Sequence, residues 1–209
     1  MTLRILFLGE GSSDDGIADH IGAIAADRGV EVTVTNPELG RLEHVGHALT
    51  DKLAAITNLG GEYELVAVHR DADSMGRDAR LAEIGNAVRA HMPQVVHVPI
   101  VPVRMTEAWL LVDETAIRRV AGNPNGRCAL GLPPLKRIEA IPDPKAELKQ
   151  VLSKASELTG RKLDRFNRRF SENRRQLLQR LDSHGPVAGL PSWQAFVGDV
   201  EAGLAQLGC

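Results

Sequence analysis

The stretch Glu64-Leu65-Val66-Ala67-Val68-His69-Arg70-Asp71-Ala72-Asp73-Ser74 constrains this chain more than any other. Leu65 to Val68 is a short apolar run rich in β-branched residues and reads as a buried strand. Two carboxylates follow it with one small residue between them. Side chains alternate along extended backbone, so Asp71 and Asp73 point the same way if the extended conformation persists. Like charges held close repel unless something neutralises them, and a divalent cation is the usual neutraliser. The alternative is a pair of turn aspartates capping the helix that begins near Gly76.

Strand and helix alternate on both sides of this stretch. Leu3 to Leu8 reads as a strand, Gly9 to Gly16 as a tight acidic turn and Ile17 to Arg28 as a helix. Val30 to Val34 is a second strand, and Leu42 to Leu59 a long helix ended by Gly60-Gly61. Beyond the central strand come a helix from about Gly76 to His91 and a strand from Val95 to Val101. The pattern predicts an α/β fold with a mainly parallel sheet, right-handed crossovers and helices on both faces. Sheets of this kind bind ligands at the carboxyl ends of their strands, where both acidic clusters fall. From Met105 onward no strand pattern is found. Helices are predicted around 105–121, 143–158, 161–181 and 192–207, with a Gly/Pro-rich link over 122–142. The expected organisation is an α/β unit over 1–113 and a helical extension over 114–209 that is not an independent domain.

At 209 residues the chain can bury a real core. No apolar run approaches the ~20 residues needed to span a bilayer. Met1-Thr2-Leu3-Arg4 leads straight into a strand, so no signal peptide is expected. Two cysteines fit a reducing compartment, and the cytoplasm is the expected location.

Charge is uneven. Arg161 to Arg180 holds eight basic and two acidic residues, so this window is +6 and the rest of the chain -8, against a net charge of -2. On a helical wheel Leu163, Phe166, Phe170, Leu177 and Leu181 share one face, with Arg161, Arg165, Arg168 and Arg175 opposite. Arg174 falls on the apolar side, which predicts a break near Ser171 or a buried ion pair. The arginine face is either plain solvated surface or a phosphate-backbone contact. Seven aromatics in all disfavour a base-stacking platform.

The first turn, Gly9-Glu10-Gly11-Ser12-Ser13-Asp14-Asp15-Gly16, has a structural reading: Ser12 and Asp15 match an S-x-x-D capping box. That reading needs neither Glu10 nor Asp14. Both can reach one point, and with Asp71 and Asp73 four acids could converge, the kind of ligand set that one or two Mg2+ ions require.

Glu10 after the first strand in a G-E-G-x-x-D setting, with Asp71-x-Asp73 after the third, resembles the Toprim pattern. Further residues sharpen the resemblance: Glu107-Ala108-Trp109-Leu110-Leu111-Val112-Asp113, Asp143-Pro144-Lys145 and Pro191-Ser192-Trp193-Gln194-Ala195-Phe196. In this order they look like a bacterial Toprim-like family with E-A-W-L-L-x-D and D-P-K motifs. It is related to the nuclease domain of the overcoming-lysogenization-defect (OLD) proteins and is associated with phage-defence loci. The resemblance implies Mg2+ or Mn2+ on Glu10, Asp14, Asp71, Asp73 and Glu107. It also implies a catalytic role for Glu10 and a lysine, Lys145, near the scissile phosphate. Arg104 is a further phosphate candidate. Ser13 and Asp14 depart from the family's usual E-G-x-T-E, the Asp being the OLD-like choice. Glu107 also reads as a helix N-terminal acid, and Asp143-Pro144 as a helix start.

The expected function is metal-dependent phosphodiester hydrolysis of nucleic acid, DNA ahead of RNA, in the setting of anti-phage defence. Asp71 and Asp73 would anchor one metal, while Glu10 and Asp14 would hold a second or position the attacking water. No G-x-x-x-x-G-K-[ST] occurs, so any ATPase would be a separate partner from the same locus. No membrane partner is expected, and a homodimer is compatible. The same ligands serve nucleotidyl transfer. Asp71-Ala72-Asp73-Ser74 also resembles the D-x-D-x-[TS] nucleophile motif of haloacid-dehalogenase-type phosphatases. That motif normally follows the first strand and leaves Glu10 without a role. A response-regulator receiver needs neither the paired aspartates nor the helical tail. The non-enzymatic alternative is a binding subunit of a defence complex.

Overall fold

The computed structural model describes residues 2–39 and 45–209. Four strands, β1 (Leu3–Leu8), β2 (Val32–Thr35), β3 (Leu65–His69) and β4 (Val96–Ile100), form one sheet in the order β2-β1-β3-β4. All three pairings are parallel, as expected from the strand–helix alternation. The crossovers carry α1 (Gly16–Asp27), α2 (Leu49–Asn58) and α3 (Arg77–His91). The second helix starts at Leu49 rather than Leu42, and positions 42–44 lie outside the described residues.

Every residue of β3 is buried because both faces of the sheet are covered. Leu3, Ile5, Phe7, Leu65 and Ala67 belong to one core, which includes Ile17 and Ile21 of α1. Leu6, Leu8, Val66 and Val68 belong to the other, with Leu53 and Ile56 of α2 and Ile84 and Val88 of α3. From β1 the chain passes outward to β2, then returns across β1 to enter β3. The carboxyl edge between β1 and β3 is therefore the point where strand order reverses, and such edges open a crevice.

The second half is helical: α4 (Glu114–Val120), α5 (Leu135–Ile138), α6 (Pro144–Ser156), α7 (Gly160–Arg168), α8 (Phe170–Gln179) and α9 (Pro191–Gln206). The single helix predicted over 105–121 is instead a 3₁₀ segment, Thr106–Leu111, followed by α4. Asp113 makes the division, its Oδ1 accepting the Ala116 N–H at 3.0 Å as an N-cap. The helix predicted over 161–181 breaks at Arg169, with φ -94° and ψ 18°, and its second part buries Arg174. The break and the buried ion pair expected for Arg174 both occur. The link over 122–142 contains the short α5.

Helices from the 114–209 segment close over the sheet. Leu148, Leu177, Trp193 and Phe196 share one core with Ile5, Phe7 and Leu65. Trp109 sits fully buried at that junction, its Nε1 donating to Ser192 Oγ at 2.7 Å. It stands edge-on to Trp193 at 5.0 Å and stacks on Phe196 at 5.7 Å. The E-A-W and P-S-W stretches are therefore two halves of one packing joint, and aromatic pairs at these separations add to simple burial. α9 lies so close to the sheet that a Cβ on Gly203 would come within 2.5 Å of Val98 Cγ2.

Candidate functional site

Leu8 and Val68 are register partners, so the residues that follow them leave the sheet side by side. This brings Glu10 from β1 next to His69, Arg70 and Asp71 from β3. Glu10 is part-exposed, with Oε1 3.4 Å from Arg70 Nη1. Burial and the neighbouring Asp71 charge both push its carboxyl above the ordinary glutamate value. Asp71 Oδ1 accepts the Thr106 N–H at 3.1 Å and the Thr106 hydroxyl at 3.3 Å, and lies 3.3 Å from His69 Nε2.

The extended backbone does not persist through Asp73. β3 ends at His69, and Asp73 takes a left-handed φ of 46°. Its N–H donates to the Arg104 carbonyl at 3.1 Å, and its carboxylate lies 3.4 Å from Arg80 Nη2. Asp71 is held by Thr106 and Asp73 by Arg80, so the alternation expected to align them does not apply. Arg80 fixes this loop from α3, donating from Nε to the Asp71 carbonyl at 2.9 Å and pairing with Glu83 at 2.7 Å.

Asp14 closes a 3₁₀ turn, Ser12–Asp14, and is buried. Its Oδ2 accepts the Gly11 N–H at 3.1 Å, and its own N–H donates to the Gly11 carbonyl at 3.0 Å. The reciprocal contact is thus Gly11 with Asp14, not the predicted Ser12 with Asp15. Asp15 instead accepts from Asn36 Nδ2 at 2.8 Å. The shift turns Asp14 inward, where it meets His69 Nδ1 at 3.4 Å and Arg174 Nη2 at 2.8 Å. Arg174 Nε lies 2.8 Å from Glu107 Oε1. Glu107 is therefore neither an exposed helix-start acid nor open to solvent; only 3% of its surface is accessible.

His69 is the centre of this inner group. Burial opposes its protonation, but the adjacent Asp14 and Asp71 carboxylates outweigh that and hold its pKa up at about 9. With both ring nitrogens protonated, Nε2–H donates to Thr106 Oγ1 at 3.0 Å, and the threonine hydroxyl donates on to Asp71. The Nδ1 contact is an ion pair rather than an aligned hydrogen bond, since Nδ1 has no hydrogen-bond partner. Burial would raise the Asp14 carboxyl, yet His69 and Arg174 hold it far below the usual aspartate range.

Three cations near the acids were not anticipated from sequence: Arg70, Arg80 and Lys52. Lys52, on α2, donates to the Gly9 carbonyl at 2.9 Å, and its pKa is lowered by burial and by Arg70. The repulsion that called for a metal is thus relieved in large part by the chain's own basic residues. Arg70 was visible inside the central stretch, and His69 directly precedes it. Lys52 and Arg80 carry no local sequence signal, because only the crossover geometry returns their helices to this edge.

Lys145 is exposed on the first turn of α6, with Asp143 as N-cap accepting the Ala146 N–H at 2.8 Å. No contact joins it to the acidic residues among the described residues. The start of α6 does reach the rim, because Arg104 Nη1 donates to the Pro142 carbonyl at 3.4 Å while the Arg104 carbonyl holds Asp73. Arg161, Arg165, Arg168 and Arg175 are all exposed. Arg161 and Arg165 line a shallow groove of about 460 Å³ with Lys162, Phe166 and Arg169.

Among the described residues no three His, Cys, Asp or Glu side chains stand together as a metal-ligand set. The inner acids, Asp14 and Glu107, are occupied by Arg174. Glu10 and Asp71 remain as a solvent-accessible carboxylate pair. Mg2+ is commonly held by one or two carboxylates, its own waters and a substrate phosphate, so this pair fits such an ion while the inner pair does not. Among the described residues no helix is long and apolar enough to cross a membrane. Comparison with protein-family models, curated proteins and solved structures finds no match.

Proposed function

We propose that the chain is a Toprim-type phosphodiesterase that uses Mg2+ or Mn2+ to hydrolyse nucleic acid, DNA ahead of RNA, in anti-phage defence. The observation that carries this reading is the meeting of Glu10 and Asp71 at the strand-order reversal, with the Glu10 carboxyl raised by burial and by Asp71. When bound, the cation would polarise the phosphate and lower the pKa of a bound water. Glu10 and Asp71 would hold it. Thr106 and His69 fix Asp71 through Oδ1, which leaves Oδ2 with capacity for a further partner. Lys52 and Arg70 stand beside the pair and would offset charge developing on the phosphate. Lys145, exposed on the first turn of α6, is the second lysine for that role. The exposed arginines of α7 and α8 supply a surface for backbone phosphates. An ATPase partner and a homodimer belong to the same proposal.

A second reading, a non-catalytic subunit with a structural acidic pocket, is favoured by one observation: Arg174 and His69 already neutralise Asp14 and Glu107. Incubation of the chain with single- and double-stranded DNA and RNA in Mn2+ separates the two. Cleavage of any of the four that stops in EDTA supports the phosphodiesterase; no cleavage of any favours the subunit.

A further inference from the structure

We infer that Arg174 is a built-in counter-cation that withholds Asp14 and Glu107 from metal, so that the site takes one divalent ion, on Glu10 and Asp71. This rests on the phosphodiesterase reading above and narrows it. Arg174 comes from α8, 160 residues from Asp14 in sequence, and contacts both inner acids at 2.8 Å. The three side chains have only 4–6% of their surface accessible. Asp14 has no free oxygen: Oδ1 faces Arg174, and Oδ2 faces the Gly11 N–H and His69.

The helix that carries Arg174 is held in place. Leu177 and Leu178 anchor α8 in the core, and a Cβ on Gly16 of α1 would already lie 3.0 Å from Leu178 and 3.1 Å from the Gln179 nitrogen. A divalent ion entering between Asp14 and Glu107 would sit against the guanidinium, where low dielectric magnifies cation–cation repulsion. The inner group sets Asp14 and Glu107 against the buried guanidinium of Arg174. The outer group sets Glu10, Asp71, Asp73 and Glu83 against Arg70, Arg80 and Lys52. The inner side chains are closed to water, whereas Glu10 and Asp71 are reached by it.

The test is the stoichiometry of Mn2+ binding to the full, EDTA-dialysed chain, by calorimetry and by loss of the free Mn2+ paramagnetic resonance signal. One Mn2+ per chain is expected, with affinity lowered at least tenfold by Glu10→Gln and by Asp71→Asn, and changed less than threefold by Glu107→Gln. Arg174→Met should admit a second ion. Should that variant or Glu107→Gln not fold, the wild-type stoichiometry still decides. Two Mn2+ per wild-type chain, or a tenfold loss with Glu107→Gln, overturns the inference and leaves the phosphodiesterase reading intact. No saturable binding overturns both.

Discussion

Loss of the proton on His69 should unlock the inner group, and its cost follows from the structure. The ring is fully buried, and its contacts with the Asp14 and Asp71 carboxylates overcome the desolvation that opposes its charge, raising its pKa from 6.5 to about 9. The folded chain therefore keeps a proton that the unfolded chain releases. The stabilisation is complete below pH 6.5 and disappears as pH climbs through about 9. At about 1.4 kcal/mol per pKa unit, the contribution is about 3 kcal/mol. For a domain of this size, that corresponds to roughly 6–12 °C in melting temperature. Thermal melts in EDTA at half-unit steps from pH 6 to 10 measure it. His69→Gln, which cannot carry the charge, should melt lower at pH 6.5 but lose much less between pH 6.5 and 9.5. Other groups titrate in this range, so the difference between the two profiles is the quantity that counts. Parallel profiles would refute the assignment of a charged His69 between Asp14 and Asp71.

Three other perturbations probe separate parts of the structure. Gly203→Ala places a methyl against Val98 and Leu65 and should cost about 1–3 kcal/mol, read by urea denaturation. Changing Arg161, Arg165 and Arg168 together to Gln should flatten the log–log salt dependence of duplex DNA binding by roughly 0.9 per lost phosphate contact. Lys52→Met should slow cleavage on the order of 10²–10³-fold if this lysine steadies the reacting phosphate; the same loss in Lys145→Met, with wild-type rates in Lys52→Met, would assign the role to the D-P-K lysine.

Much of the fold was legible because it rests on local patterns. The apolar runs Leu3–Leu8 and Leu65–Val68 are strands, and their alternation with helices gives a parallel sheet. Glu10 and Asp71 were legible for the same reason: each lies just beyond a strand that topology places side by side. Asp73 does not follow the alternation, because the extended backbone ends at His69 and the chain turns with positive φ at Asp73. The inner pairing was half visible. Arg174 stood out on an apolar helix face, but its partners lie 160 residues away at Asp14 and in a 3₁₀ segment at Glu107. No local period encodes such a meeting. Trp109 and Trp193, in stretches that resembled family motifs, form a packed joint in the core.

The central claim is that Glu10 and Asp71 hold a catalytic divalent ion, and the direct measurement is Mn2+-dependent cleavage by the wild type, Glu10→Gln and Asp71→Asn on one substrate. Melting temperature should be recorded on the same samples. The account predicts Mn2+-dependent cleavage by the wild type, and a loss on the order of 10² or more in each variant with the folded state retained. Wild-type rates in both variants, or no cleavage by any of the three, would contradict it.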